Sequence, residues 1–532
     1  MPELAPPEEL RDATESSAVR ETSDGSPPFP RWVMPFAMLA VVALRLPFLT
    51  SPASPDEAGF LTVARQWHAG GSSLYGSYWV DRPPLLLSIF QLAGATGGPS
   101  SLRLLGCVAA AVTVLSVSVT AGRIAGPRAA GWSAIFVATL LVSPLMGTDE
   151  VNGELLAAPF VSTGILLAVT ATNVAATRSR MWTAAGAGAC GAAALLVKQN
   201  MAEVFVFGLV AWLVSYWTER MNGHRLVQCT IGATLGAVGA VALVAAWTVH
   251  RGTDLSGVFD AMYQFRLKAA QVVAPTDVAS ATRRLLVLFI SWLLAGGPVV
   301  LAAFAWALIT RRLRGPVAWG LLATCCFTVV SVLAGGGYAS HYLVETIVPL
   351  GLVVALLSQL RLRLALCVVS VAAIVAAGAW TVSLLEVDEP TAGASIGSAI
   401  GTAAGPADTI ISALGYAEIV ERSGLPSPYP YLWSLPARTL DPHMNQLTQL
   451  MRGPAAPTWF VVAAASTNRS LEAGVTTVLR QRYRPVVSAC GRTIYLHDGR
   501  TRAIPPASDL CQASGHSATD VLMSWVRTIP GI

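Results

Sequence analysis

Charge is scarce in this sequence. Charged residues make up 12% of the 532 residues, whereas hydrophobic residues make up 54%. Soluble globular chains carry about 25% charged residues, so this chain has too few charges to cover a soluble surface. The apolar residues also occur in runs of about 20, the length that a helix needs to cross a bilayer. These properties exclude a soluble enzyme and a disordered scaffold. The sequence also lacks the short alternating segments of a transmembrane β-barrel. We predict an α-helical polytopic membrane protein.

Lysine is almost absent, and cysteine is sparse. Lys198 and Lys268 are the two lysines among 35 basic residues, a bias that arginine-rich codon usage explains. Six of the eight cysteines lie in apolar runs, and no cysteine spacing is typical of a zinc or haem site. The other two, Cys490 and Cys511, lie in the polar C-terminal part. Oxidising conditions outside the cytoplasm favour a disulfide between them, and two unpaired thiols are the alternative.

Eleven apolar segments predict transmembrane helices. Arginines mark every second loop between these segments, as the positive-inside rule requires of cytoplasmic loops. The N-terminus is therefore predicted to be cytoplasmic and the C-terminus to lie outside, in a multi-pass protein of the plasma membrane. The predicted spans are 32–49, 102–122, 130–147, 155–175, 182–197, 201–218, 227–249, 286–309, 317–334, 343–360 and 364–384.

The sequence divides into three parts. Residues 1–30 are rich in Pro, Glu and Ser and predict a disordered cytoplasmic tail. Residues 31–384 form the transmembrane domain, whose first external loop is 50–101. Residues 385–532 alternate strand and helix patterns and predict a small extracytoplasmic α/β domain. The strands of this domain are predicted at Asp408–Ala413, Thr458–Ala463, Val486–Ser488 and Thr493–His497.

Acidic residues gather in two short segments on the predicted external face. Asp56 and Glu57 directly follow the first span, and 149–154 directly precedes the fourth. Because most of this chain avoids charge, two such clusters at one membrane face are candidates for chemistry. The alternatives are a solvated loop or a helix cap for the first cluster and a hydrated turn for the second.

The first external loop carries a recognisable combination of residues. It contains an acid pair, a Leu-Tyr dipeptide and an acid–base pair before two prolines, namely Asp56-Glu57, Leu74-Tyr75, Asp81-Arg82 and Pro83-Pro84. This combination resembles the first external loop of polyprenyl-phosphate-sugar-dependent glycosyltransferases of the C structural class, the superfamily of protein O-mannosyltransferases and lipid A aminoarabinose transferases. The resemblance is strong over 54–86 and looser to about residue 384.

The resemblance implies a reaction and a set of roles in this loop. The enzyme would transfer a glycosyl residue, such as mannose or arabinose, from a polyprenyl-phosphate donor to an extracytoplasmic glycan, lipid or protein. Asp56 would be the base, and Glu57 would orient the acceptor or a metal. Arg82 would bind the donor phosphate, with Asp81 orienting it, although relatives often have lysine at the Arg82 position. An interfacial ion pair is the alternative for Asp81 and Arg82.

The resemblance also implies roles beyond the acid–base pair. Glu154 is the best match to a second family carboxylate, with Asp149 as second choice. Lys198 interrupts an apolar stretch and would face the donor phosphate, unless it is a helix-end lysine that reaches the membrane surface. Three further residues would contact the sugar or the phosphate: His341, Tyr342 and Tyr75. A structural role at a helix end is the alternative for His341.

No cofactor is certain from the sequence. A divalent metal, Mg²⁺ or Mn²⁺, held by Asp56, Glu154 and Asp149 is an open alternative, since paired carboxylates supply oxygen ligands. The expected partners are the lipid donor, its acceptor and the bilayer, with no nucleic acid. A transporter or flippase of lipid-linked sugars, or a non-catalytic envelope scaffold, is the competing hypothesis. A transporter would show internal repeats and charges at mid-membrane, and neither pattern is evident.

Overall fold

The computed structural model describes residues 32–273, 278–360, 362–385, 391–463, 471–511 and 518–526. The tail predicted as disordered lies outside these residues. Apolar α-helices dominate up to residue 385, which makes this a membrane-embedded protein. In chain order these helices are α1 Val33–Ala43, α2 Pro55–Arg65, α3 Pro84–Thr96, α4 Pro99–Leu141, α5 Gly153–Asn173, α6 Thr177–Val197, α7 Glu203–Trp217, α8 Gly223–His250, α9 Leu255–Phe259, α10 Phe265–Val273, α11 Val278–Leu294, α12 Gly297–Ile309, α13 Pro316–Ala334, α14 Ile347–Leu360 and α15 Leu362–Leu385.

Every predicted span coincides with helix, but in the described part of the chain fewer than eleven helices are long and apolar enough to cross a membrane on their own. Among the described residues, seven helices are long and apolar enough to cross a membrane, or eight if the bent pair α11–α12 forms one span. That pair bends by 64°. Helix α7, which covers the sixth predicted span, has only 15 residues. The count of eleven stays a prediction.

Two of the predicted spans are the arms of the single 43-residue helix α4. Gly126 breaks this helix with φ +82° and ψ 174°, and Pro127 follows. The hydroxyl of Ser118 donates to the carbonyl of Ala130 at 3.1 Å across the break. Twelve residues of straight helix would separate these groups by about 18 Å, so the two arms fold back on each other.

The first external loop is structured by helices α2 and α3. Helix α2 begins with a capping box, because the Ser54 hydroxyl accepts from the Glu57 amide and the Glu57 carboxylate accepts from the Ser54 amide. Proline at the first position of both helices suits a helix start, where no backbone N–H donor is needed. The apolar second half of this loop forms α3, Pro84–Thr96.

The C-terminal residues form a four-stranded sheet with short helices. The strand order is β1-β2-β4-β3, with β1 and β2 parallel and the other two pairs antiparallel. Cys490 and Cys511 form a disulfide in this region. The strands, which lie where the sequence pattern predicts them, are β1 Ile410–Ser412, β2 Trp459–Ala463, β3 Tyr483–Ala489 and β4 Arg492–His497. The helices are α16 Ala392–Ala403, α17 Ala417–Ser423, α18 Ser434–Leu440, α19 Asn445–Arg452, α20 Ala473–Arg482, α21 Ala507–Leu510 and α22 Ala518–Val526.

Candidate active site

A buried ion pair lies at the meeting point of helices α5 and α6. Glu154 is in the first turn of α5, and Lys198 directly follows α6. The Lys198 Nζ atom lies 2.7 Å from Glu154 Oε1, and both side chains are buried. His341 Nε2 lies 3.9 Å from the same carboxylate oxygen. Lys198 also lies over the ring of Tyr342, 5.4 Å from its centre. Four residues predicted from separate parts of the sequence are therefore in one cluster.

Close backbone packing brings these residues together. Gly147, with φ +63°, lies against His341, and a Cβ atom there would be 2.5 Å from the His341 amide nitrogen. Asn152 caps α5 by accepting from the Leu155 amide, and it donates to the Gly147 carbonyl. The turn before α5 is thus fixed at both ends by one side chain, which sets the position of the cluster.

Arg82 lies next to this cluster and is held by Asp81. Its Nη1 donates to Asp81 Oδ1 at 2.9 Å, and its guanidinium lies 5.4 Å from the ring centre of Phe60. The other oxygen of Asp81 pairs with Arg266 at 2.6 Å. Burial lowers the pKa of Arg82, but the charges of Asp81 and Asp56 outweigh burial and raise it above the usual value. Arg82 therefore stays positively charged, and Asp81 holds its guanidinium in one orientation.

Asp56 is a half-buried carboxylate in the first turn of α2. Its Oδ1 accepts a hydrogen bond of 2.8 Å from the indole Nε1 of Trp433, a residue of the C-terminal sheet region. The N-terminus of a helix favours a negative side chain, because the free backbone amides carry partial positive charge. Asp56 and Arg82 are close enough for their charges to interact.

Glu57 occupies a different position from its neighbour. It is fully buried, and its Oε2 accepts from the Ser54 amide and pairs with Arg103 at 2.9 Å. Its Oε1 accepts from the Val151 amide at 2.8 Å. Protein donors therefore engage both oxygens, which differs from the predicted contact with an acceptor or metal. Glu57 joins the first acidic segment to the second.

Tyr75 also differs from its predicted place among the donor contacts. Its side chain is fully buried, and its hydroxyl donates to the backbone carbonyl of Arg82 at 2.7 Å. Burial raises the pKa of the Tyr75 phenol. The ring packs edge-on against Trp67. Tyr75 therefore supports the backbone that carries Arg82.

Asp149 and Glu150 are close enough to Arg103 for their charges to interact with it. Asp149 lines a small pocket with Arg45 and Arg103. Burial raises the pKa of Asp149 to about 6, although the two arginines oppose this. Burial, with the charge of Asp149, raises the pKa of Glu150 to about 8.

The described side chains do not fit the metal hypothesis. No three His, Cys, Asp or Glu side chains within the described ranges form a metal-binding group. Of the three proposed ligands, Asp149 faces arginines, Glu154 pairs with Lys198 and Asp56 accepts from Trp433. A cation would compete with positive groups at two of these carboxylates.

Three residues of the site carried no functional assignment from the sequence: Trp433, Arg266 and Arg103. The sequence pattern indicated a function for Arg103 only weakly, because Arg103 is a charged residue at the start of a predicted span. The other two lie far along the chain from their partners, and Asp56 and Trp433 are 377 positions apart, so no local pattern predicts the contacts.

Solved structures share this fold. No family model matches the chain, and no curated protein matches it significantly. ArnT from Cupriavidus metallidurans bound to undecaprenyl phosphate is 16% identical over 87% of this chain and 97% of its own, with a TM-score of 0.58. Its apo state is 15% identical over 90% of this chain and 98% of its own, with a TM-score of 0.56.

A mycobacterial protein gives a more partial match. The arabinofuranosyltransferase AftD from Mycobacteria is 15% identical over 88% of this chain and 40% of its own, with a TM-score of 0.50. At these identities the likeness concerns the fold. The chain therefore shares the fold of ArnT and AftD, which is the fold that the resemblance of its first external loop to glycosyltransferases of the C structural class predicts.

Proposed function

We propose that this chain transfers a glycosyl residue from a polyprenyl-phosphate donor to a hydroxyl of an extracytoplasmic glycan, lipid or protein. One observation carries the proposal: two cations, Arg82 and Lys198, lie around Tyr342, His341 and the carboxylate of Asp56 at the ends of membrane helices. Few charges occur in this chain, so such a concentration beside apolar helices suits a charged headgroup on a lipid tail.

The chemistry assigns a task to each charge. Asp56 accepts the proton of the acceptor hydroxyl while the oxygen of that hydroxyl forms a bond to the anomeric carbon. The bond between that carbon and the phosphate oxygen breaks, and the polyprenyl phosphate leaves with the electron pair. Arg82 and Lys198 stabilise the additional negative charge on the phosphate. The displacement occurs in one step and inverts the anomeric carbon.

Fixed partners keep the cations in place before the donor binds. Asp81 holds the Arg82 guanidinium, and the Tyr75 hydroxyl holds the Arg82 carbonyl. Glu154 holds Lys198. A site that is already oriented loses less entropy when substrate binds. The fold supports a lipid-phosphate donor, since ArnT with the same fold is described bound to undecaprenyl phosphate.

A transfer assay tests the proposal. Membranes that contain the full chain are incubated with a panel of radiolabelled polyprenyl-phosphate sugars, and the label that leaves the lipid is measured. We expect one donor to be consumed, with turnover lost in Asp56→Asn and reduced by at least about a hundredfold in Arg82→Ala. The matched control is Asp260→Asn, which changes an exposed carboxylate outside the cluster and should retain wild-type turnover.

Two results would contradict the proposal. If no donor in the panel is consumed, the chain is not this type of transferase, and movement of intact lipid-linked sugar across vesicles would favour the flippase hypothesis. If Asp56→Asn retains the wild-type rate, Asp56 is not the base.

A further inference from the structure

Trp433 brings the C-terminal region into direct contact with the proposed base. It directly precedes α18, and its Nε1 donates to Asp56 Oδ1 at 2.8 Å. The indole also packs on Phe60, one turn further along α2, with ring centres 5.1 Å apart. One side chain therefore makes both a polar contact with Asp56 and an apolar contact with the helix that carries it.

Gly59 makes room for this indole on α2. A Cβ atom at Gly59 would lie 2.3 Å from Trp433 Cζ2, which no ordinary packing permits. Glycine destabilises a helix interior relative to alanine, so its presence here has a cost that the indole contact explains.

Nearby hydrogen bonds fix the segment that carries Trp433. The Trp79 amide donates to the Pro430 carbonyl at 3.1 Å, and the Ser427 amide donates to the Tyr78 hydroxyl at 2.9 Å. Both bonds join the first external loop to residues just before Trp433. The indole therefore approaches Asp56 on a segment that is held in place.

We infer that Trp433 is a positioning residue for the base, so that the C-terminal region completes the active site. The inference rests on the proposed function of Asp56. The indole N–H engages Oδ1 and fixes the side-chain rotamer, which leaves Oδ2 to accept the proton of the acceptor hydroxyl. A misoriented base lowers the rate of proton transfer without weakening the binding of the lipid donor at Arg82 and Lys198.

Separate measurements of kcat and KM distinguish a positioning role of Trp433 from a packing role. Trp433→Phe keeps an aromatic ring but removes the N–H donor. We expect its kcat to fall by about tenfold or more, while the KM for the lipid donor stays within about twofold of wild type. Trp182→Phe, which changes an exposed indole near the opposite end of α6 from Lys198, is the matched control and should keep both constants.

A glycine substitution tests the same contact from the other side. Gly59→Ala displaces the indole while every polar group stays in the chain, and alanine favours helix, so lost activity would not reflect a weaker α2. We expect Gly59→Ala to reproduce the kinetics of Trp433→Phe. The control is Gly208→Ala, a helical position with no heavy atom within 4 Å of the added Cβ.

NMR spectroscopy detects the hydrogen bond between Trp433 and Asp56 without an activity assay. In full-length protein labelled with ¹⁵N-tryptophan, the indole signal that disappears in Trp433→Phe belongs to Trp433. We expect Asp56→Ala to move this signal towards the position of a free indole. An unmoved signal would overturn the inference.

The kinetic outcomes distinguish the inference from the proposed function. If Asp56→Asn abolishes turnover but Trp433→Phe keeps the wild-type kcat and KM, the base assignment stands and the positioning role is wrong. If Asp56→Asn keeps turnover, both are wrong.

Discussion

At the scale of single residues, the pair of Glu154 and Lys198 shows how a membrane-embedded chain keeps a charge. A lone lysine at membrane depth is expensive. Here the Lys198 ammonium lies 2.7 Å from the Glu154 carboxylate, and both side chains are buried. A buried ion pair contributes little net stability, because desolvation offsets the attraction between the charges. Its retention is therefore better explained by the chemistry of the site than by stability.

This pair gives a prediction that separates stability from catalysis. Glu154→Gln leaves the Lys198 charge buried without compensation and should lower the free energy of unfolding by about 3 kcal/mol. The double variant Glu154→Gln with Lys198→Met removes both charges and should recover most of that loss without recovering turnover. Unfolding in detergent and the transfer assay measure the two effects. Equal stability of the single and double variants would show that the charges do not compensate each other.

Glu150 predicts a pH dependence of stability. Its folded pKa of about 8 lies far above the value of about 4.3 for an unfolded chain. The native state therefore keeps a proton that the unfolded state releases, so this stabilisation is complete below about pH 4 and lost as pH rises through 8. Asp149, with a folded pKa of about 6, adds a loss of the same sign at lower pH.

The variant Glu150→Gln tests the prediction that stability falls as pH rises. The wild-type thermal midpoint should fall by a few °C or more between pH 6 and pH 9, and the variant should lose much of this fall because it cannot ionise. Thermal unfolding in detergent at both pH values measures the difference. Asp498→Asn, at an exposed carboxylate, is the control and should follow the wild type. A variant as pH-sensitive as the wild type would contradict the assignment.

At the scale of elements, the break in α4 depends on one glycine. Gly126 has φ +82° and ψ 174°, a region that only glycine adopts without strain. No heavy atom lies within 4 Å of a Cβ added there, so strain in the backbone is the sole cost of a larger residue. The two arms can fold back on each other because this residue accepts that conformation.

Gly126→Ala should therefore destabilise the protein by about 1–3 kcal/mol. Gly378→Ala is the matched control, because its added Cβ also meets nothing within 4 Å but its backbone is helical. The control should be neutral or slightly more stable than the wild type, since alanine favours helix. The thermal midpoints of both variants in detergent give the comparison. Equal midpoints would mean that the break tolerates alanine.

The elements were more predictable from the sequence than the contacts of the site. Apolar runs predicted where helices lie, and alternation predicted the strands at Ile410–Ser412 and Trp459–Ala463, because both patterns are local. The fold-back of α4 was implied by two separate apolar runs around Arg123 and Arg128. The role of Glu57 was not predictable, since its partner Arg103 is 46 residues away and two adjacent acids look equivalent in sequence.

At the scale of the whole molecule, the C-terminal region packs directly on the first external loop. Arg65 pairs with Glu421 at 2.9 Å, and the Tyr78 hydroxyl accepts from the Ser427 amide. These two contacts differ in environment, because the Arg65 side chain is 40% exposed and Tyr78 is buried. The buried bond should therefore hold the region in place far more strongly than the exposed ion pair.

Two variants compare these contacts. Tyr78→Phe leaves the buried Ser427 N–H without its acceptor and should weaken docking by about 1–3 kcal/mol. Arg65→Ala removes a largely exposed ion pair and should cost about 1 kcal/mol or less. Hydrogen exchange of residues 425–433 in the full chain measures the docking, and we expect faster exchange in Tyr78→Phe alone. Faster exchange in Arg65→Ala alone would mean that the ion pair holds the C-terminal region. Because Trp433 lies in the same segment, Tyr78→Phe should also lower kcat, as the loss of the indole contact with Asp56 would.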